Sequence, residues 1–197
     1  MRLRVEGAEH VPDGPGVILA SNHLSIADPP VLSLVVARLL GRRVRYMAKG
    51  EALDAPVMGA VLRAYGGFGV RRGRPDREAI RMAQAVLDAG DWLGLAPEGT
   101  RSRNGALGEP KAGVALLALR TGAPILPVGI AGTERTWPVG SILPRLGTTI
   151  TVRFGPLYRP AAPEGADDRR AAMDAGTDEL MRRIAILLPG SYRGRFA

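Results

Sequence analysis

His23 and Asp28 lie just after the first strongly apolar run of the chain, which spans residues 16–20. A carboxylate bound to one ring nitrogen of a histidine orients the ring and stabilises its protonated form, so the other nitrogen can take a proton from a hydroxyl. Asp28 also precedes Pro29 at the predicted start of a helix, where an aspartate commonly serves as the N-cap. The two roles are compatible, and we expect Asp28 to have both.

A second polar cluster, residues 97–103, follows another apolar run and has the sequence PEGTRSR. Arg101 offers a planar fork of N–H donors, Thr100 offers a hydroxyl, and Gly99 permits a close approach of the backbone to a ligand. Glu98 beside the arginines suggests an ion pair that holds a guanidinium ready for phosphate. This cluster therefore predicts an anion site, with a plain polar turn as the alternative.

Two further segments end in basic residues. Lys49 follows an apolar run and is a candidate for the same phosphate pocket, ranked lower because a single lysine at a strand end is commonly just solvated. For the pair Arg71-Arg72, a solvated strand end and a ligand contact remain equally open. The glycines of residues 66–69 are not a dinucleotide-binding fingerprint, because they precede a strand instead of linking a strand to a helix.

Short apolar runs alternate with longer stretches of helical periodicity, which predicts an α/β fold with a mostly parallel sheet and helices on both faces. Strands are predicted at 16–21, 44–48, 68–71, 92–96, 125–130 and 149–154, and helices at 29–40, 56–65, 75–89, 111–121 and 168–187. Without a repeat or a long linker, we expect one domain over residues 1–197, with its motifs within about 16–132. The polar clusters would then meet at the carboxyl edge of the sheet, where such folds bind ligands.

The amino-acid composition excludes several kinds of chemistry. The chain has no cysteine and only two histidines, which excludes disulfides and thiolate nucleophiles and argues against a metal site. The net charge is +8, and all but two of the 27 basic residues are arginine, which suits phosphate recognition but also fits the codon usage of a GC-rich genome. No apolar stretch reaches the roughly 18 residues of a membrane span, and no signal peptide is evident.

The motifs resemble those of the glycerolipid acyltransferase family, typified by 1-acylglycerol-3-phosphate acyltransferase. Residues 22–28 match its Asn-His-x4-Asp block, and residues 97–102 match its third block at every position. Residues 66–72, which end in Arg72, resemble the second block, and residues 123–128 resemble the apolar, proline-containing fourth. The four blocks follow in the family's order. Arg71 departs from the pattern, since many relatives carry an acidic residue there, and this difference could alter the acceptor.

This resemblance implies that His23 deprotonates an acceptor hydroxyl, which attacks an acyl thioester of coenzyme A or acyl carrier protein, while Asp28 orients the histidine. The residues implied to hold the acceptor phosphate or shape its site are Arg72, Glu98, Gly99, Thr100 and Arg101. The expected acceptor is the lysophospholipid 1-acylglycerol-3-phosphate and the expected product is phosphatidic acid. Glycerol-3-phosphate or another lysolipid remains open as acceptor. Neither a metal nor a bound cofactor is required, because acyl-CoA or acyl-ACP enters as a co-substrate.

Membrane contact is expected to be peripheral, at the inner face of the cell membrane, with the protein otherwise cytoplasmic. Arginines and exposed apolar residues would bind the anionic surface. A basic nucleic-acid-binding module would also account for the charge. Aromatic residues, however, make up only 5% of the chain, and no recognition motif is present, so no nucleic acid is expected as a partner.

Overall fold

Strands from both ends of the chain meet in one sheet. A computed structural model of the protein describes residues 2–70, 77–138, 141, 143, 145, 147–161 and 169–197. Its strands are β1 (Arg2–Glu6), β2 (Ile18–Ser21), β3 (Val44–Lys49), β4 (Gly67–Val70), β5 (Trp92–Leu95), β6 (Ile125–Ala131) and β7 (Thr149–Phe154). Their order across the sheet is β1-β7-β6-β2-β5-β3-β4. The five strands from β6 to β4 are parallel, whereas β7 is antiparallel to β6 and parallel to β1.

Helices cover both faces of this sheet, as predicted. They are α1 (Asp28–Leu40), α2 (Gly50–Asp54), α3 (Pro56–Ala64), α4 (Arg77–Asp88), α5 (Gly113–Thr121), α6 (Thr133–Thr136) and α7 (Arg169–Ile186), with 3-10 turns at Ala8–His10, Gly190–Tyr192 and Gly194–Phe196. Neighbouring strand residues point to opposite faces, so Ile18 packs with α4, α5 and α7, while Leu19 packs with α1. Each face therefore has its own apolar core.

The central strands are apolar throughout because both of their faces are covered. All four residues of β2 and all seven of β6 are buried, and these two strands pair directly. In contrast, β7 alternates between partly exposed and buried residues, and β1 at the edge is largely exposed. The apolar runs from which strands were predicted therefore lie at the centre of the sheet.

All six predicted strands and all five predicted helices are present, with boundaries that agree to within two residues over the part of the chain that the structure describes. Sequence reasoning missed β1, whose arginines and glutamate hide its pairing with β7, and the short helices α2 and α6. Within the described ranges, no helix has both the length and the apolar character needed to cross a bilayer.

The topology sets which loops are neighbours. Because β6, β2 and β5 are adjacent and parallel, the segments that follow them start side by side at the carboxyl edge of the sheet. The His23 segment follows β2, the PEGTRSR segment follows β5, and α6 follows β6. The two polar clusters therefore converge at one edge, as the sequence predicts.

Candidate active site

His23 and Asp28 are in direct contact. Nδ1 of His23 lies 2.8 Å from Oδ2 of Asp28, and the same oxygen accepts the main-chain N–H groups of Leu24 and Ser25 at 2.7 and 2.8 Å. Two obligatory donors fix that oxygen as an acceptor, so Nδ1 carries the ring proton and Nε2 carries the free lone pair. The histidine side chain is 25% exposed and the aspartate only 3%, so a buried carboxylate holds a ring that solvent can reach.

The helix-cap role predicted for Asp28 is wrong. The N-cap residue of α1 is Ala27, and Asp28 makes no side-chain cap hydrogen bond. Pro29 and Pro30 have no N–H group, and the N–H of Asp28 itself donates to the carbonyl of Ser25 at 3.2 Å. The first turn of α1 therefore has few free donors to cap, and the carboxylate turns back to bind the preceding loop.

Glu98 is buried beneath the same loop. It is 3% exposed, its Oε1 accepts the main-chain N–H of His23 at 3.2 Å, and its Oε2 accepts that of Gly108 at 3.3 Å. Burial raises the pKa of Glu98, and the two N–H groups oppose this shift only in part. The predicted ion pair between Glu98 and an arginine is wrong for the described chain, because the carboxylate points inward while Arg101 is exposed.

The 97–103 segment also binds the carbonyl of His23. The N–H of Ser102 donates to this carbonyl at 2.7 Å, so both main-chain polar groups of His23 are bonded to residues of the 97–103 segment. The hydroxyl of Ser102 donates to the carbonyl of Ala106 at 2.7 Å and closes the loop on itself. The backbone of His23 is therefore fixed from one side and its ring from the other.

Asn22 and Ser25 connect this segment to β6 and to the chain that follows it. The amide of Asn22 donates to the carbonyl of Ile130 at 2.9 Å and accepts its N–H at 2.8 Å, which continues the β2–β6 ladder by one step. The hydroxyl of Ser25 donates to the carbonyl of Trp137 at 2.8 Å. These partners are more than 100 residues away in the sequence, although the hydroxyl of Ser25 also accepts the N–H of Ala27 at 3.2 Å.

A model of the acyltransferase family matches residues 2–131, which include all of this constellation up to the end of β6. The chain belongs to the acyltransferase family.

Among its relatives, this acyltransferase-family chain is 30% identical over 172 residues to the chloroplastic 1-acyl-sn-glycerol-3-phosphate acyltransferase BAT2 of Brassica napus, with 84% of the chain and 48% of the relative covered. It is also 30% identical over 164 residues to the 1-acyl-sn-glycerol-3-phosphate acyltransferase of Borreliella burgdorferi, with 80% and 62% covered. The chain thus spans less than two thirds of the length of these curated relatives.

The fold is similar to a solved structure of the same family. The crystal structure of the 1-acyl-sn-glycerophosphate (LPA) acyltransferase PlsC from Thermotoga maritima superposes with a TM-score of 0.65 at 27% sequence identity. The match covers 91% of this chain and 72% of the other. The family relationship therefore extends to the three-dimensional arrangement of most of the chain.

The structure describes some of the remaining predicted site residues of this family member and not others. Thr100 and Arg101 are exposed beside His23, in the loop that binds its backbone. Lys49 ends β3 opposite Val70, at the same edge of the sheet as the end of β2. Arg72 lies outside the described residues. The structure thus brings the 97–103 segment to the histidine and places the backbone of Lys49 two strands away.

Lys111 is a neighbour of the site that sequence reasoning missed. Gly99 adopts a φ of +66°, and a Cβ built on it would lie 3.3 Å from Nζ of Lys111, so the lysine side chain crosses directly over this glycine. The N–H of Lys111 donates to the carbonyl of Pro97 at 2.8 Å. A folded loop separates Lys111 from the motif in sequence, and only its being the second lysine of the chain could have drawn attention to it.

Tyr46 lies on the inner side of Asp28. Oδ1 of Asp28 is buried without a hydrogen-bond partner among the described residues, and the buried hydroxyl of Tyr46 faces that of Ser33. Burial strongly raises the pKa of Tyr46, and the negative charge of Asp28 adds to this effect, so the phenol stays neutral. Asp28 therefore uses one oxygen for the histidine loop and has the other facing a buried, neutral environment.

The 3-10 turns near the C-terminus contact the loop that follows the 97–103 segment. The carbonyl of Tyr192 accepts the N–H of Leu107 at 2.8 Å, and Arg195 pairs with Glu109 at 2.8 Å. The hydroxyl of Tyr192 donates at 2.7 Å to Glu134, just after β6. Because these contacts hold the loop that carries Gly108, they support the hydrogen bond between Gly108 and Glu98. No sequence motif marks residues 190–197, so these contacts were not predicted.

Proposed function

We propose that this protein transfers a fatty acyl group from acyl-CoA or acyl-ACP to the free hydroxyl of 1-acylglycerol-3-phosphate, giving phosphatidic acid for phospholipid biosynthesis. The observation that carries the proposal is the His23 ring, whose Nδ1 is bound to buried Asp28 and whose Nε2 has no partner among the described residues. Relatives named 1-acyl-sn-glycerol-3-phosphate acyltransferase give further support.

In the proposed reaction, Nε2 of His23 removes the proton of the acceptor hydroxyl as its oxygen attacks the thioester carbonyl carbon. A tetrahedral intermediate forms, with the former carbonyl oxygen negatively charged. The C–S bond then breaks, the ester is released, and the imidazolium returns its proton to the departing sulfur to give a free thiol. Asp28 stabilises the transient imidazolium through Nδ1 throughout.

The acceptor phosphate is proposed to bind beside Thr100 and Arg101, with Lys111 as a further cation and with Lys49 and Arg72 as the remaining candidates. Exposed Arg101 supplies a fork of donors next to the loop that fixes His23. For Glu98 and Gly99, which the resemblance placed at the phosphate site, we propose indirect roles. Glu98 sets the backbone of His23, and Gly99 leaves the space that brings Lys111 over the loop. No metal ion or bound cofactor is part of this proposal.

We also propose peripheral contact with the anionic inner face of the cell membrane and no binding of nucleic acid. The supporting observation is the net charge of +8, which attracts the protein to anionic lipid while the lipid acceptor lies in the bilayer.

The decisive experiment measures acyl transfer by the purified protein from acyl-CoA, and separately from acyl-ACP, to 1-acylglycerol-3-phosphate. We expect His23→Ala to lower turnover by about 100-fold or more, because a positioned general base contributes on this scale. His10→Ala is the matched control, since it removes the chain's other histidine outside the site. Equal turnover in wild type and His23→Ala would refute the assignment of the base.

A second measurement tests the acceptor. Arg101→Ala should raise KM for the phosphorylated acceptor and leave an uncharged monoacylglycerol nearly unaffected, because only the former offers a group for the guanidinium. Equal loss for both acceptors would remove the phosphate role of Arg101. If glycerol-3-phosphate or another lysolipid were acylated faster than 1-acylglycerol-3-phosphate, that molecule would replace it as the proposed acceptor. Tight, salt-sensitive binding to DNA or RNA without acyl transfer would replace the proposal with the nucleic-acid-binding alternative.

A further inference from the structure

A second polar cleft lies at the opposite end of the sheet from His23. It has a volume of about 590 Å³ and is lined by residues that end α1 and α3 or begin β3 and β4. Strands β2 and β3 both pair in parallel with β5, so they run in the same direction. His23 follows the end of β2, whereas the cleft lies at the start of β3. The six residues of β3 rise by about 20 Å, so a ligand in this cleft lies far from the proposed base.

Four arginines line this cleft: Arg42, Arg43, Arg45 and Arg63. We call it the arginine cleft. Among the described residues, none of the four is paired with a carboxylate, so their positive charges face the cleft without compensation from the protein. Like charges gathered in this way repel one another unless an anion lies among them.

Main-chain carbonyls hold three of these side chains in place. Arg45 donates through Nε to Gly66 at 3.1 Å, Arg63 donates through Nη1 to Leu53 at 2.8 Å, and Arg42 donates through Nη2 to Asp13. A guanidinium has five N–H donors, so each of these side chains has others left for a ligand. The forks are thus positioned before any ligand arrives, which lowers the entropy lost on binding.

One aromatic side chain extends the chemistry of the arginine cleft. Tyr65, 41% exposed, offers its ring among the lining residues. The volume falls within the range of small-molecule pockets and exceeds what a single small anion needs.

We propose that the arginine cleft binds a phosphate-bearing anion, at a site separate from the proposed reaction. Arginine forks match the oxygens of a phosphate, and several guanidinium groups together suit a ligand with more than one phosphate charge. The phosphate belongs either to a soluble phosphorylated molecule or to the headgroup of an anionic lipid, since both present the same oxygens to the forks.

The test titrates inorganic pyrophosphate into the full-length protein and follows the amide resonances of Arg45 and Gly66 by NMR. Following these amides separates the arginine cleft from the proposed acceptor site near Arg101. A parallel arm measures co-sedimentation with phosphatidylcholine vesicles that either contain or lack phosphatidic acid. The cleft variant is Arg43→Gln with Arg63→Gln. The control, Arg2→Gln with Arg4→Gln, removes the same charge from exposed positions on β1, at the far edge of the sheet.

We expect the cleft variant to weaken binding by about tenfold or more in at least one arm, while the control pair retains wild-type affinity. Loss in the pyrophosphate arm identifies a soluble ligand, and loss confined to phosphatidic acid vesicles identifies a headgroup. No binding in either arm, or equal weakening in the control pair, would overturn the proposal.

A conservative pair, Arg43→Lys with Arg63→Lys, keeps the charge and removes the forks. It should bind with intermediate affinity, and it provides the comparison if the glutamine pair is poorly folded. His23→Ala should bind both probes as wild type does, so failure of the proposed acyl transfer and failure of this proposal are distinguishable.

Discussion

The main-chain N–H of His23 donates to Oε1 of Glu98 at 3.2 Å, across 75 residues of sequence. Glu98 thereby acts on the backbone of the histidine, whereas Asp28 acts on its ring. Since the other oxygen of Glu98 accepts the N–H of Gly108, one buried carboxylate connects the end of β2 to the loop after β5. The first and third motifs are therefore parts of one hydrogen-bonded unit.

Glu98 should make stability fall as pH rises. Burial raises its pKa above the ordinary glutamate value of 4.5, so between 4.5 and the higher folded-state value the folded protein binds more protons than the unfolded chain. The free energy of unfolding should therefore decrease as pH increases through that interval. Glu98→Gln cannot titrate and should lack this component, although it is less stable overall because one N–H loses its acceptor.

Urea unfolding at a series of pH values measures this effect as the difference in slope between wild type and Glu98→Gln. Glu9→Gln is the control, since Glu9 is exposed on the 3-10 turn Ala8–His10 and takes no part in the site. A wild-type slope that is equal to or more positive than that of Glu98→Gln would contradict the prediction.

Asp28→Asn should fold well and turn over slowly. The amide oxygen can occupy the position of Oδ2 and keep all three hydrogen bonds, while the NH2 group replaces Oδ1, which has no partner among the described residues. What is lost is the negative charge that stabilises the imidazolium. We expect kcat to fall by about 100-fold or more while KM for the acceptor changes little, because the charge assists the proton transfer and does not bind the acceptor.

Steady-state kinetics, together with urea unfolding, check this prediction. Asp178→Asn, on the exposed surface of α7, removes the same charge far from the histidine and should leave kcat unchanged. A kcat of the Asp28→Asn variant close to that of the wild type would show that the charge of Asp28 does not assist His23.

Asn22→Asp should destabilise the fold strongly. The substitution replaces a donor to the carbonyl of Ile130 with a carboxylate oxygen and puts a charge at a position that is 2% exposed. We expect a loss of about 3 kcal/mol in the free energy of unfolding, measured by urea denaturation. Asn104→Asp is the matched control, because Asn104 is exposed and its Oδ1 accepts the N–H of Ala106 at 3.1 Å, a hydrogen bond that an aspartate keeps.

The sequence was informative where the chemistry is local. The buried runs of β2 and β6 read as strands because both of their faces are covered, and the five-residue spacing from His23 to Asp28 predicted their contact. The helix-cap assignment failed although Pro29 and Pro30 stood in the sequence, because two prolines remove the donors that a cap would serve.

Other features depend on contacts that no local pattern encodes. Glu98 sits in a run of polar residues and reads as exposed, yet the loop closes over it and its partners are backbone groups from two distant segments. The partners of Asn22 and the contacts of Tyr192 likewise appear only once the strand order is known. The sequence therefore predicted which residues meet at the edge and missed how their backbones are held.

Gly94 should be required to accommodate Tyr46 behind Asp28. The two residues are paired across β5 and β3, and a Cβ on Gly94 would lie 2.2 Å from Cε1 of the tyrosine ring. Gly94→Ala should thus cost about 1–3 kcal/mol of stability through overpacking, whereas Gly113→Ala, with open space around its Cβ, should cost little. Tyr46→Leu removes the clashing ring atoms, so the double variant should be more stable than the sum of the single changes predicts. Urea unfolding of the four proteins of this cycle measures the coupling, and strictly additive losses would show that the ring does not limit the space at Gly94.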